Sequence, residues 1–204
     1  ARELESSTLI KFLYGHLLEV LVLFFVKMSG HKIDSEQKEI SVSGIKGHMD
    51  CKIDGVTVDV KSTSSSNFNK FKYGTLAAQD DYGYIDQLKA YAHSEGERKF
   101  AWLAMNKTTG HLCVLEYDLD NKDDPMYEFY SEDIEEKIEH VKKSVKQEEK
   151  PPVCYPLDVI GKSGNTKLSR NCGFCQYKRL CYPDLKEYEY KHGKEYLVDI
   201  VKEP

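Results

Sequence analysis

From Thr8 to Met28 the chain is apolar at most helical positions, and the run stops at Ser29-Gly30. This predicts a helix over about Thr8 to Met28, closed by the glycine. Its densest stretch, Leu17 to Met28, is interrupted by Glu19 and Lys27 and is too short to span a bilayer. A buried core helix and no membrane partner are expected. Beyond it, Lys32 to Val42 reads as a strand with a polar interruption. Two short apolar-alternating runs, Gly47 to Ile53 and Val56 to Lys61, flank Asp54-Gly55, a strong two-residue hairpin signal.

The next segment, Lys61 to Asp81, is rich in Ser, Asn and Lys and reads as a loop or mobile lid. Tyr84 to His93 has helical spacing, and Phe100–Met105 with Cys113–Tyr117 forms a second hairpin. Ser131 to Lys146 is a charged helix with Ser131 as its N-cap and acidic residues in its first turn. Pro151-Pro152 ends it. This order of elements implies an α/β fold with a central mixed sheet flanked by helices. The expected division is a core over 1–150 and a cysteine-bearing C-terminal segment over 151–204, packed as one unit.

Register in the first hairpin follows by counting out from the turn. Ile53 faces Val56, Lys52 faces Thr57, Cys51 faces Val58, Asp50 faces Asp59 and His48 faces Lys61. One face then carries Met49, Cys51, Ile53, Val56, Val58 and Val60, a core face. The other carries His48, Asp50, Lys52, Thr57, Asp59 and Lys61. Two opposed aspartates repel, and a divalent cation between them reverses the sign. A lysine on the same face can orient a metal-bound water or stabilise a phosphate under attack. The competing interpretation is a solvated hairpin face of mixed charge.

Composition adds bounds. The 204 residues are 40% hydrophobic and 31% charged with a net charge of −5, ordinary for a globular chain. No global basic field draws in nucleic acid, so any such contact is local or metal-mediated. The opening Ala1-Arg2-Glu3-Leu4-Glu5 has no signal-peptide pattern, which suggests the cytoplasm, and the lack of an initiator Met suggests an excised piece. Six cysteines occur, three of them as Cys172-x2-Cys175-x5-Cys181. Without a secretory signal a metal site is expected over a disulfide scaffold. Cys154 is the nearest further thiol. Both Zn²⁺ and an iron–sulfur cluster accept such ligands.

The Gly47-His48-Met49-Asp50 run, the hairpin and Val58-Asp59-Val60-Lys61 together resemble the PD-(D/E)xK nuclease superfamily, in its RecB-like and phage exonuclease branch. Gly15-His16-Leu17-Leu18-Glu19 matches that branch's early histidine motif, and Tyr84-Ile85-Asp86-Gln87 to Tyr91 its later glutamine motif. The resemblance implies a restriction-endonuclease-like core, with His16, Asp50 and Asp59 as ligands for Mg²⁺ or Mn²⁺. Glu19 is an additional or alternative ligand, and His48 a rival to His16. Lys61 becomes the catalytic lysine, Gln87 positions it or the DNA, and Tyr84 and Tyr91 support that helix and count among the expected DNA-contacting residues. The cysteine motif is similar to the iron–sulfur CRISPR-associated nucleases of the same branch. That likeness implies a 4Fe–4S cluster, its fourth ligand lying upstream or at Cys154.

The expected activity is that of a DNA exonuclease acting on ends of single-stranded or resected DNA, in phage or bacterial recombination, repair or processing, beside a recombination or replication protein. A structure-trimming or restriction-type endonuclease and a non-catalytic metal-stapled nucleic-acid-binding module are the alternatives. For DNA contact, Lys70, Phe71, Lys72 and Tyr73 interleave aromatics with cations, unless the aromatics pack on the core. Lys167, Arg170, Lys178 and Arg179 form a basic patch by the cysteines.

Overall fold

The computed structural model describes residues 6–147, 152–190 and 193–203. The opening pentapeptide and Pro151 lie outside them. The chain divides into two compact units, Ala1–His140 and Val141–Pro204. The division falls inside a helix, upstream of the boundary expected near residue 150.

Unit 1 begins with helix α1 (Ser6–Met28). Strands β1 (Ile33–Asp34), β2 (Lys38–Val42), β3 (Ile45–Met49), β4 (Cys51–Ile53) and β5 (Val56–Thr63) follow. Then come α2 (Ser65–Lys72), a 3₁₀ turn over Ala77–Gln79, α3 (Tyr84–Ser94), β6 (Lys99–Asn106), β7 (Leu112–Asp118), α4 (Tyr127–Tyr130) and α5 (Ile134–Lys146). The central sheet has the order β1-β4-β5-β6-β7. β5 pairs parallel with β6 and antiparallel with β4, so the sheet is mixed. α1 packs on one face with Val22, Leu23, Cys51, Val58, Val60, Ala101 and Leu103. The other face, with Phe100, Trp102, Ala104 and Tyr117, is covered by Phe68 and Phe71 of α2 and Leu88, Tyr91 and Ala92 of α3.

The turn between β4 and β5 follows the expected chemistry. Asp54 (φ 51°) and Gly55 (φ 86°) both sit in the left-handed region, as a type I′ hairpin requires. Pairing runs Ile53–Val56, Lys52–Thr57 and Cys51–Val58 and then stops. The expected single strand Gly47–Ile53 is broken at Asp50 into β3 and β4. β3 pairs with β2 in a separate two-stranded sheet, with His48 opposite Glu39 and not Lys61. This break moves Met49 to the α3 side of the sheet, away from the face of Cys51 and Val58. The strand expected over Lys32–Val42 likewise serves two sheets, as β1 and β2.

Three other expectations are corrected. The segment after Lys61 is not a loop: β5 runs on to Thr63, and α2 inserts Phe68 and Phe71 into the core at 4% and 2% exposure. α5 starts at Ile134, and its cap is Asp133 rather than Ser131: Asp133 Oδ1 accepts from the Glu135 and Glu136 N–H groups at 2.8 and 3.1 Å. In α1, only Val22 and Leu23 are buried, so it is not a core helix throughout. By length and composition alone α1 could cross a bilayer; the helix reaches back to Ser6.

Unit 2 holds β8 (Asp158–Ile160), β9 (Asn165–Lys167), α6 (Arg170–Phe174), α7 (Lys178–Cys181), β10 (Lys186–Tyr190) and β11 (Gly193–Leu197). Its strands form one sheet in the order β10-β11-β9-β8. Leu168, Leu185 and Leu197 are its buried apolar residues among those described.

Candidate active site

Two ends of the same hairpin carry charge, and they differ. Near the turn, Lys52 pairs with Glu95 and Glu97 at 3.0 and 2.5 Å, Lys38 meets Glu95 at 2.7 Å, and Glu97 accepts from the Thr57 N–H and hydroxyl at 2.9 and 2.7 Å. Cations and carboxylates balance there, as in a structural network.

At the other end the balance fails. Asp59 is 5% exposed on the central strand β5, in register with Trp102 of β6. Lys61, two residues on, reaches back to it with Nζ 2.8 Å from Oδ1 and 2.7 Å from Oδ2. The approach to Oδ2 is not aligned for a hydrogen bond, and that buried oxygen is left without one. Asp50, at the break between β3 and β4, turns its Oδ2 onto the Val60 N–H at 2.9 Å. From α1, Glu19 comes in with its side chain 18% exposed.

The three carboxylates feel one another. Burial pushes the Asp59 carboxyl up to about 6; the Lys61 cation opposes this, and Asp50 adds to it. Burial also raises Glu19, again with help from Asp50. Burial works against the Lys61 ammonium, but Asp59 and Asp50 outweigh it and its pKa rises. The ammonium also stands 4.9 Å from the centre of the Tyr84 ring, a cation–π distance. An open cleft over this end is lined by Lys11, Gly15, His16, Glu19, Val60 and Lys61.

Other expected residues fall less centrally. His16 is three-quarters exposed, its Nδ1 3.5 Å from Glu19 Oε2. His48 points to Glu39 at 3.9 Å. Gln87 donates to the Tyr91 hydroxyl at 3.0 Å, and no contact to Lys61 is seen. Tyr91 is in the core, close against Gly47: a Cβ there would come within 2.9 Å of Tyr91 Cε1. Phe71 is core as well, which removes it from any base-stacking surface. Lys70 ties down the following turn through Gln79 O at 2.7 Å and Asp81 at 3.2 Å. Lys72 and the exposed Tyr73 remain at the surface, 5.5 Å apart from Nζ to ring centre.

Two further residues meet this cluster without a site motif to mark them. Gln37 donates its side-chain amide to Glu19 Oε1 at 3.0 Å and its backbone N–H to Asp50 O at 2.9 Å, joining the two acids. It does so from a left-handed φ of 53°, which no local pattern announces. Tyr82, 51% exposed, stacks on Tyr84 at 5.5 Å; its place just before an expected helix was the available signal.

A divalent ion has an observable to answer to. The buried Asp59 Oδ2 makes no hydrogen bond, although Lys61 Nζ lies 2.7 Å from it, and Asp50 and Glu19 act on the same carboxylate; such oxygens are the donor type that a hard cation takes. As placed, however, no three His, Cys, Asp or Glu side chains among the described residues form a metal-holding group.

In unit 2, Cys172 and Cys181 both act on Tyr182, whose hydroxyl is pushed up first by burial and then by these two thiols. No cysteine is in a disulfide. Cys172 and Cys175 are linked through the Cys175 N–H to Cys172 O at 3.1 Å. Neighbouring cations are engaged: Lys167 with Glu195 at 2.8 Å, Lys178 with Gly173 O at 2.7 Å, and Arg179 with Leu185 O at 2.9 Å.

No family model matches the chain, and no curated protein matches it. Among solved structures, the alkaline exonuclease of Laribacter hongkongensis is similar at 14% identity and a TM-score of 0.42, covering 72% of this chain and 78% of that one. The same enzyme in complex with dAMP is similar at 12% identity and a TM-score of 0.42, with the same coverage. At that score the likeness decides nothing about the site, whose own residues must carry its assignment.

Proposed function

We propose that the chain is a metal-dependent deoxyribonuclease of the PD-(D/E)xK type that removes nucleotides from DNA ends. The observation that carries this reading is the charge imbalance at Asp50, Asp59 and Glu19. It sits beside a lysine two residues from the most buried acid, and the other end of the same hairpin is neutralised. A mixed-charge solvated face gives no reason for a 5% exposed aspartate on which two further carboxylates act.

Asp50, Asp59 and Glu19 would hold Mg²⁺ or Mn²⁺, with His16 at the rim of the cleft. When bound, such an ion lowers the pKa of a coordinated water and stabilises charge on a phosphate oxygen. Lys61 faces the same point and supplies a positive charge for the scissile phosphate or a hold on the attacking water. Burial and the Tyr84 ring restrict where that ammonium goes. Gln37 fixes Glu19 and Asp50 relative to each other, and Gln87 acts through Tyr91 and the α3–β3 packing. Lys72, Tyr73 and Tyr84 are the surface residues offered for DNA contact.

In unit 2 the proposed role of Cys172, Cys175 and Cys181, with Cys154, is to hold a 4Fe–4S cluster or Zn²⁺. The support is their spacing together with the nearness of Cys172 and Cys181 to Tyr182. Metal analysis and the visible spectrum of anaerobically purified protein test it; a colourless, metal-free folded protein removes it.

The nuclease assignment is tested with end-labelled linear single-stranded DNA beside its circular form, in Mg²⁺, Mn²⁺ or chelator, with wild type and Lys61→Ala. Metal-dependent loss of the linear substrate alone, abolished in the variant, is expected. Equal cutting of the circle replaces an exonuclease with an endonuclease. Binding without cleavage by wild type overturns the enzymatic reading in favour of a binding module.

A further inference from the structure

Helix α1 has two apolar sides, and the sheet uses one. Its inner side turns Val22 and Leu23 to the core and Glu19 to the acidic cluster. On the opposite side, Ile10, Leu13, Leu17, Val20 and Phe24 are each more than half exposed. Their spacing alternates three and four residues over two heptads, the repeat of a helix-to-helix seam. Including flanking positions, eleven apolar side chains of α1 are 39–71% exposed. At roughly half of a 150–250 Å² side chain each, that is on the order of 1,000 Å². A monomer's largest apolar patch is about 300–600 Å², and a stable interface takes about 800 Å² from each partner.

We infer that this chain self-associates as a twofold dimer, the outer face of α1 packing against the same face of a second copy. The three-four spacing suits a helix as the occupant, and the exposed area is of the size that an isologous interface requires. A bilayer suits the face less well. Glu19 lies midway along the helix, bonded to Gln37 and facing the sheet, so the helix cannot enter a membrane core without drawing the acidic cluster after it. Glu19 faces the sheet, while Leu13 at the edge of the seam also lines the cleft; the inference stands whether or not the site is a nuclease.

The test is sedimentation velocity on the full chain without detergent, over a hundredfold concentration range, beside the double variant Leu17→Glu/Val20→Glu. Both side chains are already exposed within one copy, so the variant folds; its circular dichroism and thermal transition check this. The expected wild-type species has twice the 23.5 kDa chain mass, and the folded variant is a monomer with at least a hundredfold weaker self-association. A wild type monomeric throughout the range, a dimer that survives in the variant, or a monomer that floats with phosphatidylcholine vesicles overturns the proposal.

Discussion

The Asp50 carboxylate accepts the Val60 N–H at 2.9 Å, across the point where β4 stops pairing with β5. The bond replaces a ladder hydrogen bond and fixes one carboxylate oxygen, leaving the other outside this bond. Asp50→Asn keeps an acceptor there, whereas Asp50→Ala leaves the N–H without one. Urea unfolding is expected to cost about 1–3 kcal/mol for Ala and well under half of that for Asn. Cleavage is expected to fall at least about a hundredfold in both, since only the charge serves the ion. Equal stability losses in the two variants would contradict this account of the bond.

Asp59 gives a signed dependence on pH. Its native pKa of about 6 lies above the ordinary 3.8, so the unfolded chain gives up this proton first. Its contribution to stability is whole below about pH 4, falls as pH rises toward 6, and is flat above that. The full loss is up to about 3 kcal/mol at roughly 1.4 kcal/mol per pKa unit. In chelator, Asp59→Asn should remove this slope and be the more stable protein at neutral pH; added Mg²⁺ should restore stability to wild type alone. A slope unchanged in the variant would refute the assignment to Asp59.

Gly47 allows the Tyr91 side chain its place, the added Cβ meeting ring Cε1 at 2.9 Å and the hydroxyl oxygen at 3.1 Å. Gly47→Ala is expected to destabilise by about 1–3 kcal/mol. In a double-mutant cycle with Tyr91→Ala much of that penalty should vanish; additive costs would mean that the close approach is not the cause.

Lys89 is 2% exposed and donates to Tyr130 O and Glu132 O at 3.1 and 2.8 Å, holding the end of α4 to α3. Lys89→Met fills the same space and strands two carbonyls, for an expected loss of about 2–4 kcal/mol with a change in Tm and none in the metal requirement of cleavage. A Tm within a degree or two of wild type would show that water takes over the carbonyls.

Much of the site could be read from the chain because its signals are local. Asp54-Gly55 sets the turn, the turn sets the register, and Asp59 with Lys61 follows by counting. What could not be read depends on contacts distant in sequence. The break at Asp50 arises because β3 pairs with β2 and presses Gly47 on Tyr91, and it puts Met49 on the unexpected face. α2 offers only Phe68 and Phe71 among polar residues, too short a stretch for helical periodicity to stand out. Gln37 reaches the acids through a left-handed turn with no glycine to mark it. The apolarity of α1 fitted a core helix, since composition does not say how many faces find a partner.

The one parallel pairing in the central sheet, Thr57–Phe100 to Thr63–Asn106, also orders events at synthesis. Glu19, Gln37, Asp50, Asp59, Lys61 and Tyr84 have all been made before β6 exists. Until then β5 has an open edge and Asp59 has no Trp102 beside it. Closing a parallel pair across α2 and α3 is slow compared with closing a hairpin. A nascent chain therefore carries its whole set of acidic and basic site residues in an unassembled state until β6 docks.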